Sequence, residues 1–107
     1  MSARLTRGDE EKLNLDLARY FSTTGDFGKT LEHARKALAA NPKSIPAHIL
    51  VGEIKERQGD PEGALAAYQK ATTEFYKQYP DSYELPQYLI HKTSDLMERL
   101  GKLKPKE

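Results

Sequence analysis

The sequence predicts an all-α fold: two copies of a helix–turn–helix unit followed by one capping helix. Three observations carry this expectation. Apolar residues recur at helical spacing through most of the chain. Gly25-Asp26 returns as Gly59-Asp60, 34 residues later. No segment shows the strict apolar–polar alternation of a half-buried strand. Leu31 and Leu65, Lys36 and Lys70, and Ala37 and Ala71 keep the same offset, which divides the chain into repeat one, 11–44, and repeat two, 45–78.

The first helix is expected from about Asp9 to Thr24, with Leu13, Leu17, Tyr20 and Phe21 as its inner stripe. Gly25 ends it by taking a left-handed conformation, and Asp26 caps the next helix. That second helix carries Phe27, Leu31, Ala34, Ala37 and Leu38 on one face and stops at Asn41-Pro42, because proline cannot continue the hydrogen-bond ladder. Ser44 is the expected cap of the third helix, whose inner residues are Ala47, Val51 and Ile54. Gly59 closes it and Asp60 caps the fourth, with Pro61 in the first position, where a missing N–H costs nothing. The fourth helix buries Ala64, Leu65, Tyr68, Ala71 and Phe75. Tyr76 stands where the first repeat has Pro42, so this helix is expected to run on to about Tyr79. A loop or insertion over about 77–86 follows. The capping helix is expected over about 86–101, with Leu89, Ile90, Thr93, Leu96, Met97 and Leu100 inside and Gly101 at its end. Residues 102–107 are expected to be a charged, frayed tail.

Composition bounds the function. Lys plus Arg total 17 and Asp plus Glu total 16 among 107 residues, a formal net charge of +1. This balance lacks the basic excess that general nucleic-acid binding requires, and no apolar run approaches membrane-spanning length. The start of the chain has no stretch resembling a secretory leader, so a cytoplasmic protein is expected. With no cysteine, disulfides, thiolate zinc sites and cysteine nucleophiles are excluded. His33, His48 and His91 share no helical metal-ligand spacing. His33 is expected on the outer face and His48 in an aromatic slot between repeats. There is no phosphate loop, nucleophile elbow or distinguishable carboxylate pair. The expectation is therefore no enzyme, no cofactor and no metal. Phe75, Tyr76, Tyr79, Tyr83 and Tyr88 crowd into 14 residues. Packing of the fourth helix on the last is the favoured reading, and a sticky surface patch is the alternative.

The chain resembles the tetratricopeptide repeat (TPR) family. The resemblance covers about residues 11–101 and rests on Leu17-Ala18, Phe21, Gly25-Asp26-Phe27, Ala37 and Pro42 in repeat one. Repeat two matches through Val51-Gly52, Gly59-Asp60, Ala64, Tyr68 and Ala71. Ile90, Ser94, Met97 and Gly101 look like the first helix of a third repeat. Thr30, His48 and Lys55 depart from the family pattern, as does Tyr76. The resemblance implies a single domain with a right-handed α–α superhelix whose first helices line a concave groove. It also implies the function: a protein–protein adaptor or scaffold holding a peptide or helix in that groove. By family position the groove would present Lys12, Leu15, Arg19, Ile49, Glu53, Glu56, Arg57, His91 and Asp95, with Ser22, Thr23, Pro46, Tyr88, Glu98 and Arg99 beside them. The Lys/Asn clamp by which some members hold chaperone tails is not matched. Leu15, Arg19, Leu50, Tyr88 and Lys92 stand at those positions. Two repeats and a cap are few for a solenoid, so the alternatives are self-association through the repeat ends or a piece of a longer array.

Overall fold

Thr6 starts the first helix two residues earlier than the apolar pattern alone suggests. Its hydroxyl accepts from the Asp9 amide at 3.0 Å, and its own amide donates to the Asp9 carboxylate at 3.2 Å. This reciprocal box satisfies two backbone donors that a bare helix end leaves open. The computed structural model describes residues 5–82 and 86–102. Five helices run through them: α1 Arg7–Thr24, α2 Phe27–Ala40, α3 Ile45–Arg57, α4 Pro61–Gln78 and α5 Gln87–Arg99. Among the described residues there is no strand. Residues 83–85 of the loop before α5, Tyr83 among them, and the tail beyond Lys102 lie outside the described residues.

The punctuation read from the sequence is present in backbone geometry. Gly25, Gly59 and Gly101 have φ of 82°, 76° and 69°, a region that costs a side chain-bearing residue about 1 kcal/mol or more. Asp26, Ser44 and Asp60 accept from the amides of Lys29, Ala47 and Gly63. The 34-residue offset places Phe27 against Pro61, the first residues of α2 and α4. The same offset from Ala40, where α2 ends, falls on Glu74. Yet α4 continues to Gln78, one turn further, because Tyr76 occupies the place of the stop at Pro42.

Successive helices pack on each other, and α1 also touches α3. Two apolar clusters result. The first joins Leu15, Ala18, Ala34, Ala37, Ala47 and Leu50, with Leu38 and Val51 against it. The second joins Ala64, Leu65, Tyr68, Ala71, Leu89 and Leu96, with Ile45, Ile49, Met97 and Leu100 against it.

Two expected faces need correction. On α1 the buried residues are Leu15 and Ala18, whereas Leu13 and Tyr20 are 47% and 60% exposed. The helix turns its small residue toward α2 and α3, because Ala18 permits close approach where a large side chain would hold the helices apart. On α5, Ile90 is exposed while Leu89 and Leu96 are buried against α4.

Candidate functional site

The nine residues expected in a groove separate into four groups. Leu15 leaves the set: it is 7% exposed and packs in the first apolar cluster, so its side chain is not offered to a partner. Ile49 is half-buried against the second cluster. Lys12, Arg19, His91 and Asp95 are exposed. Arg19 lies 3.7 Å from Asp16, and Asp95 lies 3.6 Å from Arg99. These are solvent-screened pairs on one helix, each contributing only tenths of a kcal/mol.

The remaining three, Glu53, Glu56 and Arg57, come together on α3. With Lys92 of α5 they line an open cleft of about 260 Å³. No Cα atom of α5 lies within 8 Å of one in α3, so side chains bridge the gap. Tyr88 donates its hydroxyl to Glu53 Oε2 at 2.5 Å. Lys92 Nζ lies 3.0 Å from Glu56 Oε1, and the same oxygen accepts the Tyr68 hydroxyl at 2.7 Å. The Tyr68 and Tyr88 rings meet edge-on at 6.3 Å, and the Lys92 ammonium sits 5.7 Å from the Tyr88 ring centre. Arg57 reaches across to α1, donating to the Ser22 carbonyl and hydroxyl at 3.4 Å each, with its guanidinium 6.0 Å from the Phe27 ring.

These neighbours set the ionisation. Burial pushes the Glu56 carboxyl up, but the hydrogen bonds from Tyr68 and Lys92, with the charges of Lys92 and Arg99, together hold it below its usual range. Burial, then donation to Glu56, drives Tyr68 far above the ordinary phenol value. Burial and the bond to Glu53 raise Tyr88 to about 12. Both phenols are therefore donors at neutral pH, and Glu56 is a carboxylate.

Tyr68 reaches Glu56 because Gly52 clears the way. A Cβ at position 52 would meet the Tyr68 ring at 2.8 Å. Family position brought Glu53, Glu56 and Arg57 into the candidate set. The partners Lys92 and Tyr68 come from helices separate in sequence, and only the packing reveals them.

The other expectations resolve as follows. His33 is only partly exposed, not on an outer face: its Nδ1 lies 2.9 Å from Asn14 Oδ1, and its ring stacks on Phe21 at 5.5 Å. His48 is 9% exposed, with Nε2 donating to the Pro42 carbonyl at 3.0 Å. Tyr76 and Tyr79 are 50% and 53% exposed around half-buried Phe75. Much of the aromatic cluster is thus surface rather than packing between α4 and α5. Among the described residues no group of three or more His, Cys, Asp or Glu is placed to hold a metal, and no helix is long and apolar enough to cross a membrane.

A scan against protein-family models finds no match, and a search of curated proteins finds no relative.

Proposed function

We propose that the chain is a helical-repeat adaptor of the tetratricopeptide type, a binding protein rather than an enzyme. It takes a peptide or helical segment of another protein along the face shared by α1, α3 and α5. The reading of the repeat is supported by the 34-residue recurrence of left-handed glycines at 25 and 59, each followed by a capping aspartate. The observation that carries the binding role is the open cleft of Glu53, Glu56, Arg57 and Lys92. It holds charges of both signs, and side-chain bridges keep them in place before any partner arrives. Preorganised polar groups lose little freedom on binding, so this surface suits a partner with charges of both signs. The right-handed superhelix and the cytoplasmic setting belong to the same proposal.

A peptide-display selection against the immobilised chain tests it. Recovered peptides are then titrated into wild type, Arg57→Glu and Asp95→Lys by calorimetry. The proposal expects a loss of about tenfold or more for Arg57→Glu, equivalent to roughly 1.4 kcal/mol, and a smaller loss for Asp95→Lys. Affinity unchanged in both variants sinks the assignment.

A second reading, self-association through the repeat ends, is favoured by one observation. Leu13 and Tyr20 on α1 and Ile90 on α5 are exposed at the two ends of the helix series. Sedimentation across concentration separates the two readings, because a strict monomer excludes this one.

A further inference from the structure

Charge is arranged differently on the two sides of the helix series. On α1, α3 and α5 most cations are met by acids of the same chain. Arg19, Lys55, Lys92 and Arg99 stand 3.7, 3.8, 3.0 and 3.6 Å from a carboxylate; Arg7 and Lys12, near the start of α1, are the exceptions. On α2, α4 and the turn after α2 the balance is reversed. Lys36 lies 3.9 Å from Glu32, but Arg35, Lys43, Lys70 and Lys77 are exposed and form no ion pair among the described residues.

The unpaired lysines keep the register of the repeat. Lys36 recurs as Lys70 and Lys43 as Lys77, each 34 residues on. Lys70 and Lys77 are two turns apart on α4, so they share one stripe about 10 Å long. Gln78 donates to the Lys43 carbonyl at 2.8 Å, which brings Lys43 beside the end of that stripe. The helix dipole explains a cation at Lys77, in the last turn of α4. It does not explain Lys36 or Lys70, which stand within their helices away from the ends. The acids of this side do not cancel the cluster. Glu32 is taken by Lys36, and Glu62 lies in the first turn of α4, two turns before Lys70. Glu74, with one carboxylate oxygen buried, is the one acid set among Lys43, Lys70 and Lys77. Like charges held together with too few acids raise the local potential and draw in an anion.

We propose that the outer face of α2 and α4, centred on Lys43, Lys70 and Lys77, docks an acidic peptide segment of a partner protein. Carboxylates about 10 Å apart on that segment meet the two lysines of α4, and Lys43 takes a third. A trough of about 660 Å³ runs between the two helices, with Lys70 in its lining. A peptide follows such a concave surface, whereas a flat bilayer bridges over it. Exposed charge pairs of this kind steer and orient a partner more than they add affinity, so the docking is salt-sensitive. The surface is separate from the α1–α3–α5 face, and its failure leaves that reading standing.

The test titrates fluorescein-labelled octaglutamate, with octaglutamine as the neutral control, into the full-length chain at low salt. A saturable anisotropy change is expected for octaglutamate, with octaglutamine about tenfold weaker or more. NMR shifts are expected to centre on the amides of Lys43, Lys70 and Lys77. Lys70→Glu weakens binding about fivefold or more, because it replaces an attraction with a repulsion. Lys102→Glu, the same change of net charge just past the end of α5, alters it less than about twofold. Absence of saturation, equal weakening by the two substitutions, shifts centred on Glu53 and Glu56, or tighter binding of phosphatidylserine vesicles than of the peptide overturns the assignment. The comparison of the two peptides on wild type stands whether or not any variant folds.

Discussion

The two ends of the helix series are assembled by different chemistry. At the N-terminal seam, α1, α2 and α3 meet through Ala18, Ala34, Ala37 and Ala47, each with 0% exposure, with Leu15 and Leu50 beside them. Small side chains let backbones approach, and dispersion over close contacts supplies the attraction. At the C-terminal seam, Tyr68 is the largest fully buried side chain. Its ring packs against Gly52, and its hydroxyl organises Glu56, Lys92 and, through the Tyr88 ring, Glu53. The first seam is closed and offers a ligand little. The second holds α5 at a distance from α3 by polar bridges and leaves a lined cleft. A close-packed seam makes a rigid base, whereas a bridged seam leaves charged groups at the surface, fixed in place by their neighbours.

The largest expected effect is at the hub of the second seam. Tyr68→Ala removes a buried ring and leaves Glu56 without one donor. The expected loss is about 3–5 kcal/mol by denaturant unfolding; a loss below about 1 kcal/mol contradicts the role given to the ring. In the first seam the comparison predicts the reverse sensitivity, to added bulk. Ala37→Leu is expected to cost about 1–3 kcal/mol through overpacking.

Gly52→Ala sharpens the contrast because its cost depends on Tyr68. In wild type the new methyl meets the ring and is expected to cost about 1–3 kcal/mol. In a Tyr68→Ala background most of that cost disappears, and a double-mutant cycle measures the coupling. Additive costs mean that the close approach is not what requires glycine. The caps give smaller effects that do not discriminate between the ends: Asp26→Ala and Asp60→Ala are each expected to cost about 1 kcal/mol.

The finest distinction is in pH dependence. Glu56 has a folded pKa below its ordinary value of 4.5. The folded state thus favours the carboxylate, so its contribution is present above pH 4.5 and is lost as pH falls through the folded pKa. Tyr88 is raised from 10.0 to about 12. Its folded state favours the neutral phenol, so its contribution is present below pH 10 and is lost as pH rises from there toward about 12. Thermal melts of Glu56→Gln and Tyr88→Phe should therefore show a shallower acid limb and a shallower alkaline limb, respectively. If neither limb changes, the polar bridges do not contribute to holding the seam.

The local features were legible in the sequence because local chemistry decides them. Gly25 and Gly59 supply a backbone region others avoid, and Asp26 and Asp60 bond to amides three residues on. The absence of a proline at Tyr76 predicted the longer α4. The Thr6–Asp9 box is also written in the sequence, as a capping pair three apart, but the apolar pattern that sets the expected start of α1 begins later. The face of α1 was misread for a different reason. Counting large apolar residues selects Leu13, Leu17, Tyr20 and Phe21, but close helix packing selects Ala18, and Leu13 and Tyr20 stay exposed among the described residues. Leu15 stands in the groove by family position, yet it is 7% exposed and packs with Ala18 in the first cluster. The cleft was half legible: Glu53, Glu56 and Arg57 sit one turn or less apart on one helix. Family position sets Tyr88 beside them, whereas Lys92 and Tyr68 join them only through long-range packing.

The central claim, that partners engage the α1–α3–α5 face, is tested most directly by mapping a selected peptide onto the labelled protein by NMR. The account predicts that the largest shifts fall at Glu53, Glu56, Arg57 and Lys92, with lesser ones at Lys12, Arg19 and His91. Shifts confined to α2 and α4, with those residues unmoved, would contradict it.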